Sequence, residues 1–333
     1  MEAVIGVVGA GRMGRGIALS YAYSGQRVAL IDLKARSTSE WQQMVVVGKA
    51  ELRADLNFLA SVNLLNEGEV ERILNLISDH HRGDASTVLE QCPIIYEGVP
   101  EVMSAKEAVL AFVSEVVPND TVIASTTSTF LVTELAKFVR SSERFMNAHW
   151  LNPAHLMPLV EISKSEQTST EAVTQLRTSL EAIGKKTVVC NASPGYIVPR
   201  IQALAMNEAA RLLEEGVASA EDIDRAIHYG FGPRFAILGL LEFIDWGGGD
   251  ILYHASNYLS KAVDARYQAP EIVVENMQQG RNGLRDGVGF FDYSEVDTGA
   301  YRKRRLGEFV ALMKHLDLLP KRPASEADEP RSA

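Results

Sequence analysis

A histidine and a glutamate twelve residues apart, His149 and Glu161, are of the types that acid–base chemistry near neutral pH requires. Asn152-Pro153 turns the chain between them, and residues 158–162 read as a returning strand. Because about six residues out and six back span similar distances, a hairpin would bring the two side chains within hydrogen-bond reach. A carboxylate beside an imidazole fixes its tautomer and raises its basicity. A purely structural hydrogen bond is the alternative, but the location of the pair at a strand end, opposite a glycine turn, favours proton transfer.

That glycine turn, Gly9-Ala10-Gly11-Arg12-Met13-Gly14, predicts a dinucleotide site. It follows the apolar run 3–8 and opens a helical run, so the free amides of the helix would face the phosphates. Gly9 permits the tight turn, Gly11 lets a pyrophosphate approach the backbone, and Gly14 lets the helix pack closely on the strand. A glycine-rich turn with no ligand is the alternative. The predicted cofactor contacts in the motif are Gly9, Gly11, Arg12, Met13 and Gly14.

An acid at the end of the next apolar run indicates which dinucleotide binds. Asp32 lies eighteen residues after Gly14, where a carboxylate can bind the ribose hydroxyls and repel a 2′-phosphate. NAD is therefore predicted rather than NADP, although Lys34 and Arg36 follow closely.

Strands and helices must alternate to position these groups, and the sequence shows that alternation. Strand-like runs recur at 93–97, 121–125 and 144–149, with helical stretches between them. The pattern predicts an α/β fold of Rossmann type, a doubly wound parallel sheet covered on both faces. A ligand should lie beyond the carboxyl ends of the strands, where Gly11, Glu97, Ser125 and His149 fall.

The rest of the chain divides around this sheet. Residues 1–192 form the predicted NAD-binding domain, with a helical hairpin projecting over about residues 37–80. Residues 193–319 read as an all-α domain for substrate binding and dimerisation, and residues 320–333 as a disordered polar tail. The apolar helices of the second domain supply more apolar surface than a domain of this size buries alone, so we expect a homodimer.

Composition excludes several classes of function. The 333 residues are 46% hydrophobic and 23% charged, as in ordinary globular proteins, and the net charge of −10 argues against a nucleic-acid surface. No apolar stretch is long enough for a membrane span, and the sequence begins with a core strand instead of a signal segment, so we expect a cytoplasmic protein. Two cysteines, Cys92 and Cys190, are too few for a disulfide framework or a zinc site.

Taken together, these segments resemble the 3-hydroxyacyl-CoA dehydrogenase family, which also includes carnitine, gulonate and pyridine-carboxylate dehydrogenases. The resemblance extends from the glycine motif to Gly287-Val288-Gly289-Phe290-Phe291-Asp292-Tyr293. Its most specific segments are Ala124-Ser125-Thr126-Thr127-Ser128, His149-Trp150-Leu151-Asn152-Pro153 with Glu161, and Ser193-Pro194-Gly195-Tyr196-Ile197-Val198.

The resemblance implies NAD-dependent oxidation of the 3-hydroxyl of an L-3-hydroxyacyl substrate to the 3-oxo compound, with no metal. His149 would be the catalytic acid–base, Glu161 its orienting partner, and Ser128 a donor to the substrate oxygen. The implied cofactor contacts are Asp32, Glu101, Lys106, Ser128, Asn152 and Arg285.

Three departures from the family concern the acyl carrier. Pro199 stands where the family usually has asparagine, and Pro158 where thioester-specific members have lysine. The projection carries only Lys49 and Arg53 between residues 38 and 65, whereas CoA-binding members are lysine-rich there. A short free acid is therefore slightly favoured over a CoA thioester such as 3-hydroxybutyryl-CoA. Two arginines, Arg200 and Arg234, are candidates for binding either a carboxylate or a phosphate, or are plain surface charges.

Two other functions are compatible with the same fold. A non-catalytic NAD-binding protein with a structural or sensing role is kept open by Pro199 and disfavoured by the set Ser128, His149 and Glu161. A decarboxylating or branched-chain hydroxyacid dehydrogenase needs a lysine at the start of the all-α domain, and residues 194–216 contain none.

Overall fold

The computed structural model describes residues 4–320, which divide into two compact units between Ala205 and Met206. In the first unit eight strands form one sheet: β1 (Val4–Val8), β2 (Arg27–Asp32), β3 (Ile77–His81), β4 (Ile94–Glu97), β5 (Val122–Ser125), β6 (Phe145–Trp150), β7 (Leu159–Lys164) and β8 (Lys186–Asn191). Their order across the sheet is β3-β2-β1-β4-β5-β6-β7-β8. All neighbours are parallel except β6 and β7, which are antiparallel. The predicted doubly wound α/β sheet is confirmed.

Helices cover both faces of this sheet. They are α1 (Arg12–Tyr23), α2 (Thr38–Ser61), α3 (Glu69–Leu74), α4 (Ala85–Leu89), α5 (Met103–Val116), α6 (Val132–Leu135) and α7 (Thr170–Ala182), followed by α8 (Val198–Glu214), within which the division between the units falls. Successive residues of β1 point to opposite faces, so Val7 packs with α1 and α7 while Val8 packs with α4 and α5. Burial on both faces explains why the central strands are continuous apolar runs.

The helical projection is shorter than predicted. Its helices α2 and α3 end at Leu74, and the segment expected to finish it, residues 77–80, is instead strand β3 at the edge of the sheet, paired with β2 alone. Residues 77–81 were not predicted as a strand because a strand at the edge of a sheet can be polar. With one side unpaired, Ile77-Ser78-Asp79-His80-His81 needs no continuous apolar run.

The second unit is helical in its described part. Its elements are α9 (Ala220–Ala226), a π-helical segment (Ile227–Phe231), α10 (Gly232–Ile237), α11 (Leu240–Gly247), α12 (Gly249–Ala262), α13 (Glu271–Gln278) and α14 (Thr298–His315). Gly248 separates α11 from α12 with φ +107°, a conformation that glycine adopts without strain. The predicted glycine break is therefore present.

A buried carboxylate organises the end of this helical unit. Asp245 is 2% exposed and accepts hydrogen bonds from the amides of Phe290 and Phe291, both at 2.9 Å, and from the hydroxyl of Tyr293 at 3.2 Å. Charge-assisted hydrogen bonds of this kind are about twice as strong as neutral ones. The carboxylate thereby fixes the glycine-rich loop 287–293 against α11.

Two further predictions concern the ends of the chain and membranes. The polar tail predicted for residues 320–333 lies, but for Pro320, outside the described residues. Between residues 4 and 320 no helix combines the length and the apolar character needed to cross a bilayer.

Candidate active site

Strand register brings the carboxyl ends of four strands side by side. Val8 pairs with Glu97, Glu97 with Ser125, and Ser125 with Asn147. His149 follows two residues after Asn147 on the same face of β6, because side chains alternate along a strand. Val8, Glu97, Ser125 and Asn147 therefore lie side by side in one row, at the edge of the sheet that was predicted to hold a ligand.

The predicted hairpin pairs the histidine with the glutamate. His149 on β6 is directly opposite Glu161 on β7, and Nδ1 of the imidazole lies 2.8 Å from Oε2 of the carboxylate. Both side chains are buried, His149 at 6% exposure and Glu161 at 0%. A carboxylate accepts only, so Nδ1 carries the proton and Nε2 is left free to accept one. The expected proximity is confirmed.

Two backbone amides complete the surroundings of the carboxylate. Oε1 of Glu161 accepts hydrogen bonds from the amides of Ile197, at 3.0 Å, and Val198, at 2.9 Å, where α8 begins. Burial acts to raise the pKa of Glu161, but the hydrogen bonds from His149, Val198 and Ile197 outweigh it and hold the pKa below its ordinary value. Glu161 is therefore an anion at neutral pH. Pro199, the second residue of α8, occupies a first-turn position where the missing amide hydrogen has no cost.

The glycine motif has the tight packing that its spacing predicted. Gly9 has φ +109°, and a Cβ added there would lie 2.6 Å from the carbonyl oxygen of Gly98. A Cβ at Gly14 would overlap the carbonyl oxygen of Gly9. At Gly11, in contrast, a Cβ would meet no atom within 4 Å. The first and third glycines thus serve the fold, while the second leaves open space above the start of α1.

That open space belongs to a cavity of about 610 Å³, a size suited to a cofactor. Its lining includes every residue of the motif except Gly14, together with Asp32, Arg36, Gly98 and Val99. Asp32 is 5% exposed and accepts from Nε of Arg36 at 2.5 Å and from the amide of Lys34 at 3.3 Å. The cradle at Gly11 and the carboxylate at the end of β2 fit a dinucleotide. Asp32 and Arg36 form an ion pair, whereas the sequence showed only that they are close along the chain.

Next to this cavity, Lys106 is fully buried and forms ion pairs with two acids. Its Nζ lies 3.0 Å from Oε1 of Glu97 and 3.5 Å from Oε2 of Glu101. Ser125 donates to Glu97 at 2.5 Å, and all three of Lys106, Glu97 and Ser125 are 0% exposed. Glu97 and Ser125, expected among the groups that face a ligand, are therefore interior groups of the sheet edge. Lys106 holds Glu101 in place instead of presenting its own ammonium group.

Glu101 in turn organises the turn that carries Ser128. It accepts from the hydroxyl of Thr127 and from the amide of Thr129, the latter at 3.0 Å. Burial acts to raise the pKa of Glu101, but the Thr127 hydrogen bond, Lys106 and the Thr129 amide lower it overall. Ser128, between the two threonines, is exposed. The described structure therefore presents its side chain outward from a turn that is fixed on both sides.

A second cavity, of about 400 Å³, lies along the loop between β6 and β7. Asn152, Pro153, Ala154 and His155 line it from the loop, and Arg12 and Arg15 line it from α1. Both arginines also line the first cavity, so the two spaces share a wall. Arg15 is ion-paired with Glu51 of α2, whereas Arg12 is exposed.

This loop is anchored from two directions. Lys185 is 6% exposed and donates to the carbonyls of Ala154, at 2.6 Å, and Met157, at 2.8 Å. The hydroxyl of Ser20 on α1 reaches the same Ala154 carbonyl at 3.2 Å. Burial lowers the pKa of Lys185, and its ammonium lies 5.3 Å from the ring centroid of Trp150, next to His149. Sequence reasoning missed Lys185, because its partners are backbone carbonyls that leave no pattern in the sequence.

Three further predicted residues lie outside the strands of this sheet. Arg200 is exposed on α8, with Nη1 3.5 Å from the hydroxyl of Ser193. Arg234 belongs to the second unit, where Nε donates to the Gly230 carbonyl at 2.6 Å and the guanidinium lies over the ring of Phe243. Arg285 also belongs to the second unit and is ion-paired with Asp250 at 3.2 Å. Their roles toward substrate and cofactor stay predictions.

A cavity of about 820 Å³ near the ends of β7 and β8 is larger than either of these. Lys137, Lys164, Glu166 and Asn191 contribute its charged and polar lining. None of the predicted site residues lines it, so volume alone does not locate the chemistry. The acid–base pair and the glycine cradle do.

Family models cover nearly the whole described chain. The model described as the NAD binding domain of 3-hydroxyacyl-CoA dehydrogenase matches residues 4–193, and the model of the C-terminal domain of the same enzyme matches residues 195–293.

Individual relatives agree with the models. A 5-formyl-3-hydroxy-2-methylpyridine 4-carboxylate 5-dehydrogenase of Mesorhizobium japonicum is 29% identical over 314 residues, which cover 94% of this chain and 98% of the relative. A probable 3-hydroxybutyryl-CoA dehydrogenase of Bacillus subtilis is 30% identical over 290 residues, covering 87% and 96%. The crystal structure of a 3-hydroxyacyl-CoA dehydrogenase from Archaeoglobus fulgidus superposes with a TM-score of 0.75 at 30% identity, covering 96% of this chain and 100% of that one. The chain belongs to the 3-hydroxyacyl-CoA dehydrogenase family of NAD-dependent enzymes, which act on CH–OH groups.

Proposed function

We propose that the chain oxidises the 3-hydroxyl of an L-3-hydroxyacyl substrate to the 3-oxo compound, with NAD as the cofactor. The observation that carries the proposal is the His149–Glu161 pair, in which a buried, ionised carboxylate holds one imidazole nitrogen and leaves the other free. Membership of the family supports the same reaction class.

In this proposal His149 acts as the general base. Nε2 of the imidazole takes the proton of the 3-hydroxyl, and the imidazolium that forms is stabilised by Glu161 at 2.8 Å. In the reductive direction the same nitrogen returns the proton to the oxygen of the 3-oxo group. The hydrogen bonds from His149 and from the two amides on Oε1 keep Glu161 ionised, so it stabilises the imidazolium without itself taking up the proton.

Other residues near the carboxyl ends of these strands would hold and orient the substrate and the cofactor. Ser128 donates a hydrogen bond to the substrate oxygen from its fixed, outward-facing turn. Gly11, Arg12 and Met13 receive the pyrophosphate at the start of α1, and Asp32 receives the ribose hydroxyls. When bound, NAD would supply the acceptor for the hydride that leaves the carbon bearing the 3-hydroxyl, while the hydroxyl proton passes to His149. Asn152 and Glu101 are the further proposed contacts of the cofactor.

For the acyl carrier we favour a short free acid over a CoA thioester. A thioester enzyme must hold phosphates, for which Lys and Arg are suited. Both cations of α2 are already engaged, Lys49 with Asp79 at 3.4 Å and Arg53 with Glu71 at 2.8 Å. The Mesorhizobium relative, which covers 94% of this chain, is itself named for a carboxylate substrate.

A side-by-side assay of NADH oxidation tests this preference. With the purified full chain we expect free 3-oxo acids such as acetoacetate to be reduced more efficiently than acetoacetyl-CoA, because no unpaired cation of α2 awaits a phosphate. The matched control is the same assay with NADPH. A kcat/KM for acetoacetyl-CoA above about 10⁴ M⁻¹s⁻¹ would contradict the free-acid preference and leave the dehydrogenase reaction intact.

We also propose that the chain forms a homodimer through its second unit. No residue of α9 or α14 is buried, and large apolar side chains are exposed, among them Met206 at 68%, Ile251 at 64% and Tyr258 at 71%. Exposed apolar surface of this extent marks an interaction site. Light scattering at micromolar concentration should give twice the 36.5 kDa mass of the chain. A monomer mass would refute the dimer.

A further inference from the structure

An aromatic ring lies flat against the imidazole of the acid–base pair. The rings of Tyr196 and His149 are stacked, with centroids 4.8 Å apart and planes inclined by 15°. Tyr196 is 6% exposed, as is His149. One face of the imidazole is therefore covered, and rotation of the imidazole about its bond to Cβ would displace the tyrosine ring.

The hydroxyl of this tyrosine is fixed to two other parts of the site. It donates to the carbonyl oxygen of Thr127 at 2.6 Å and accepts from Nδ2 of Asn147 at 3.1 Å. Thr127 immediately precedes Ser128, and Asn147 lies on the same strand face as His149. The same Asn147 nitrogen also donates to the carbonyl of Phe130, at 3.0 Å, beyond Ser128. The tyrosine thus joins the turn that carries Ser128 to the strand that carries His149.

The backbone conformation at Tyr196 also positions two hydrogen-bond donors to Glu161, the partner of His149. Tyr196 has φ +47°, and Gly195 before it has φ +77°. A bulky residue in the left-handed region is uncommon and persists where its surroundings hold it. This turn directs the next two amides, of Ile197 and Val198, at Glu161. One turn therefore places a ring on the imidazole and two donors on its carboxylate.

We propose that Tyr196 is a positioning residue of the reaction, whose ring holds the His149 imidazole in register with Glu161 and whose hydroxyl fixes that imidazole relative to Ser128. The inference rests on the proposed role of His149. The face of the tyrosine ring also stabilises the imidazolium formed when His149 accepts a proton, since an aromatic face attracts a cation. Burial raises the pKa of the Tyr196 hydroxyl, which keeps it protonated as the donor to the Thr127 carbonyl.

Two substitutions separate the ring from the hydroxyl. Tyr196→Phe keeps the stack and removes both hydrogen bonds, and Tyr196→Leu removes the stack while keeping a side chain with a Cβ in the same backbone conformation. A misplacement near 1 Å costs about 10²-fold, so we expect kcat to fall by about that factor in Tyr196→Leu. Tyr196→Phe keeps the stacked ring, so we expect a smaller fall in kcat, of about tenfold, from the loss of the two hydrogen bonds that fix the ring. KM and the affinity for NADH should stay near those of the unmodified protein, because Tyr196 acts through His149.

A spectroscopic measurement gives a second, independent reading. In ¹⁵N spectra of the histidine side chains, His149→Gln identifies the signals of His149. We expect those signals to change in both tyrosine variants as the imidazole loses its fixed orientation. The matched control is Tyr21→Phe, which removes another buried tyrosine hydroxyl, bonded to Tyr96 at 2.7 Å and Ser179 at 3.0 Å, and should alter neither kcat nor the His149 signals.

The outcomes distinguish this inference from the proposed function. If His149→Gln abolishes turnover while Tyr196→Leu keeps kcat within about threefold, the positioning role is wrong and the role of His149 stands. If His149→Gln itself retains turnover, the proposed function is wrong. Should Tyr196→Leu not fold, Tyr196→Phe decides, since unchanged kcat together with unchanged His149 signals would overturn the positioning role.

Discussion

Replacing His149 with glutamine is expected to lower kcat by about 10²- to 10⁴-fold, the contribution of a positioned general base, while binding of NADH is preserved. The reason is local: His149 lies on β6 beside Glu161 and does not line the cavity built around the glycine motif. Steady-state turnover and a fluorescence titration with NADH measure the two effects separately. Turnover close to that of the unmodified protein would remove His149 from the mechanism.

Glu161→Gln is the companion variant, since it keeps the shape of the side chain and removes its charge. We expect a loss of about 10²- to 10⁴-fold, because the imidazolium loses its counter-ion and the amide can hold the wrong tautomer. The pH dependence has a definite sign. The pKa of Glu161 is lowered in the fold, so its stabilising contribution is fully present above the ordinary carboxylate pKa and is lost as pH falls through the lowered value. Unfolding of Glu161→Gln should lack this acid-side dependence.

The second large effect is expected from Gly14→Ala, which should destabilise the fold itself. Its Cβ would overlap the carbonyl oxygen of Gly9, an atom of the backbone that cannot move without opening the turn. Overpacking of this kind costs about 3 kcal/mol or more of the free energy of unfolding. Thermal unfolding followed by circular dichroism measures the loss.

Gly11→Ala is the matched control within the same motif. A Cβ at Gly11 meets no atom within 4 Å, so the free energy of unfolding should change by less than about 1 kcal/mol. The methyl group would nevertheless stand where the pyrophosphate approaches, and NADH affinity should fall by about 10- to 100-fold. Equal unfolding temperatures for the two variants would contradict the packing described at Gly14. Undiminished NADH binding by Gly11→Ala would contradict the cradle.

Sequence reasoning succeeded where chemistry and chain geometry are local. The roles of Gly9 and Gly14 follow from the space that a Cβ would occupy, and the spacing of the glycines in the motif is enough to predict these roles. The meeting of His149 and Glu161 follows from strand geometry, because twelve residues with a turn in the middle leave few other arrangements. Buried central strands were predicted for the same reason: their apolar runs require cover on both faces.

The remainder depended on contacts between distant parts of the chain. Strand β3 lies at the edge of the sheet and is polar, so it lacks the apolar pattern from which a strand is predicted. Glu97 and Ser125 lie at the predicted strand ends. Their burial follows from the ion pair of Glu97 with Lys106 of α5, which the sequence does not predict. Tyr196 was noted within a motif, and its stack on His149 requires a turn with two left-handed residues that the sequence does not specify.

The antiparallel pairing of β6 with β7 has a consequence for how this enzyme's specificity can diversify. An insertion of one residue inside either strand would turn His149 or Glu161 to the opposite face of the sheet. An insertion in the loop 151–158 leaves that pairing unchanged. This loop supplies Asn152 and His155 to the wall of the second cavity, so its length and composition set the shape of that cavity. A library randomised over residues 153–158 would vary the wall of the second cavity while keeping Asn152 and the pairing of His149 with Glu161 in place.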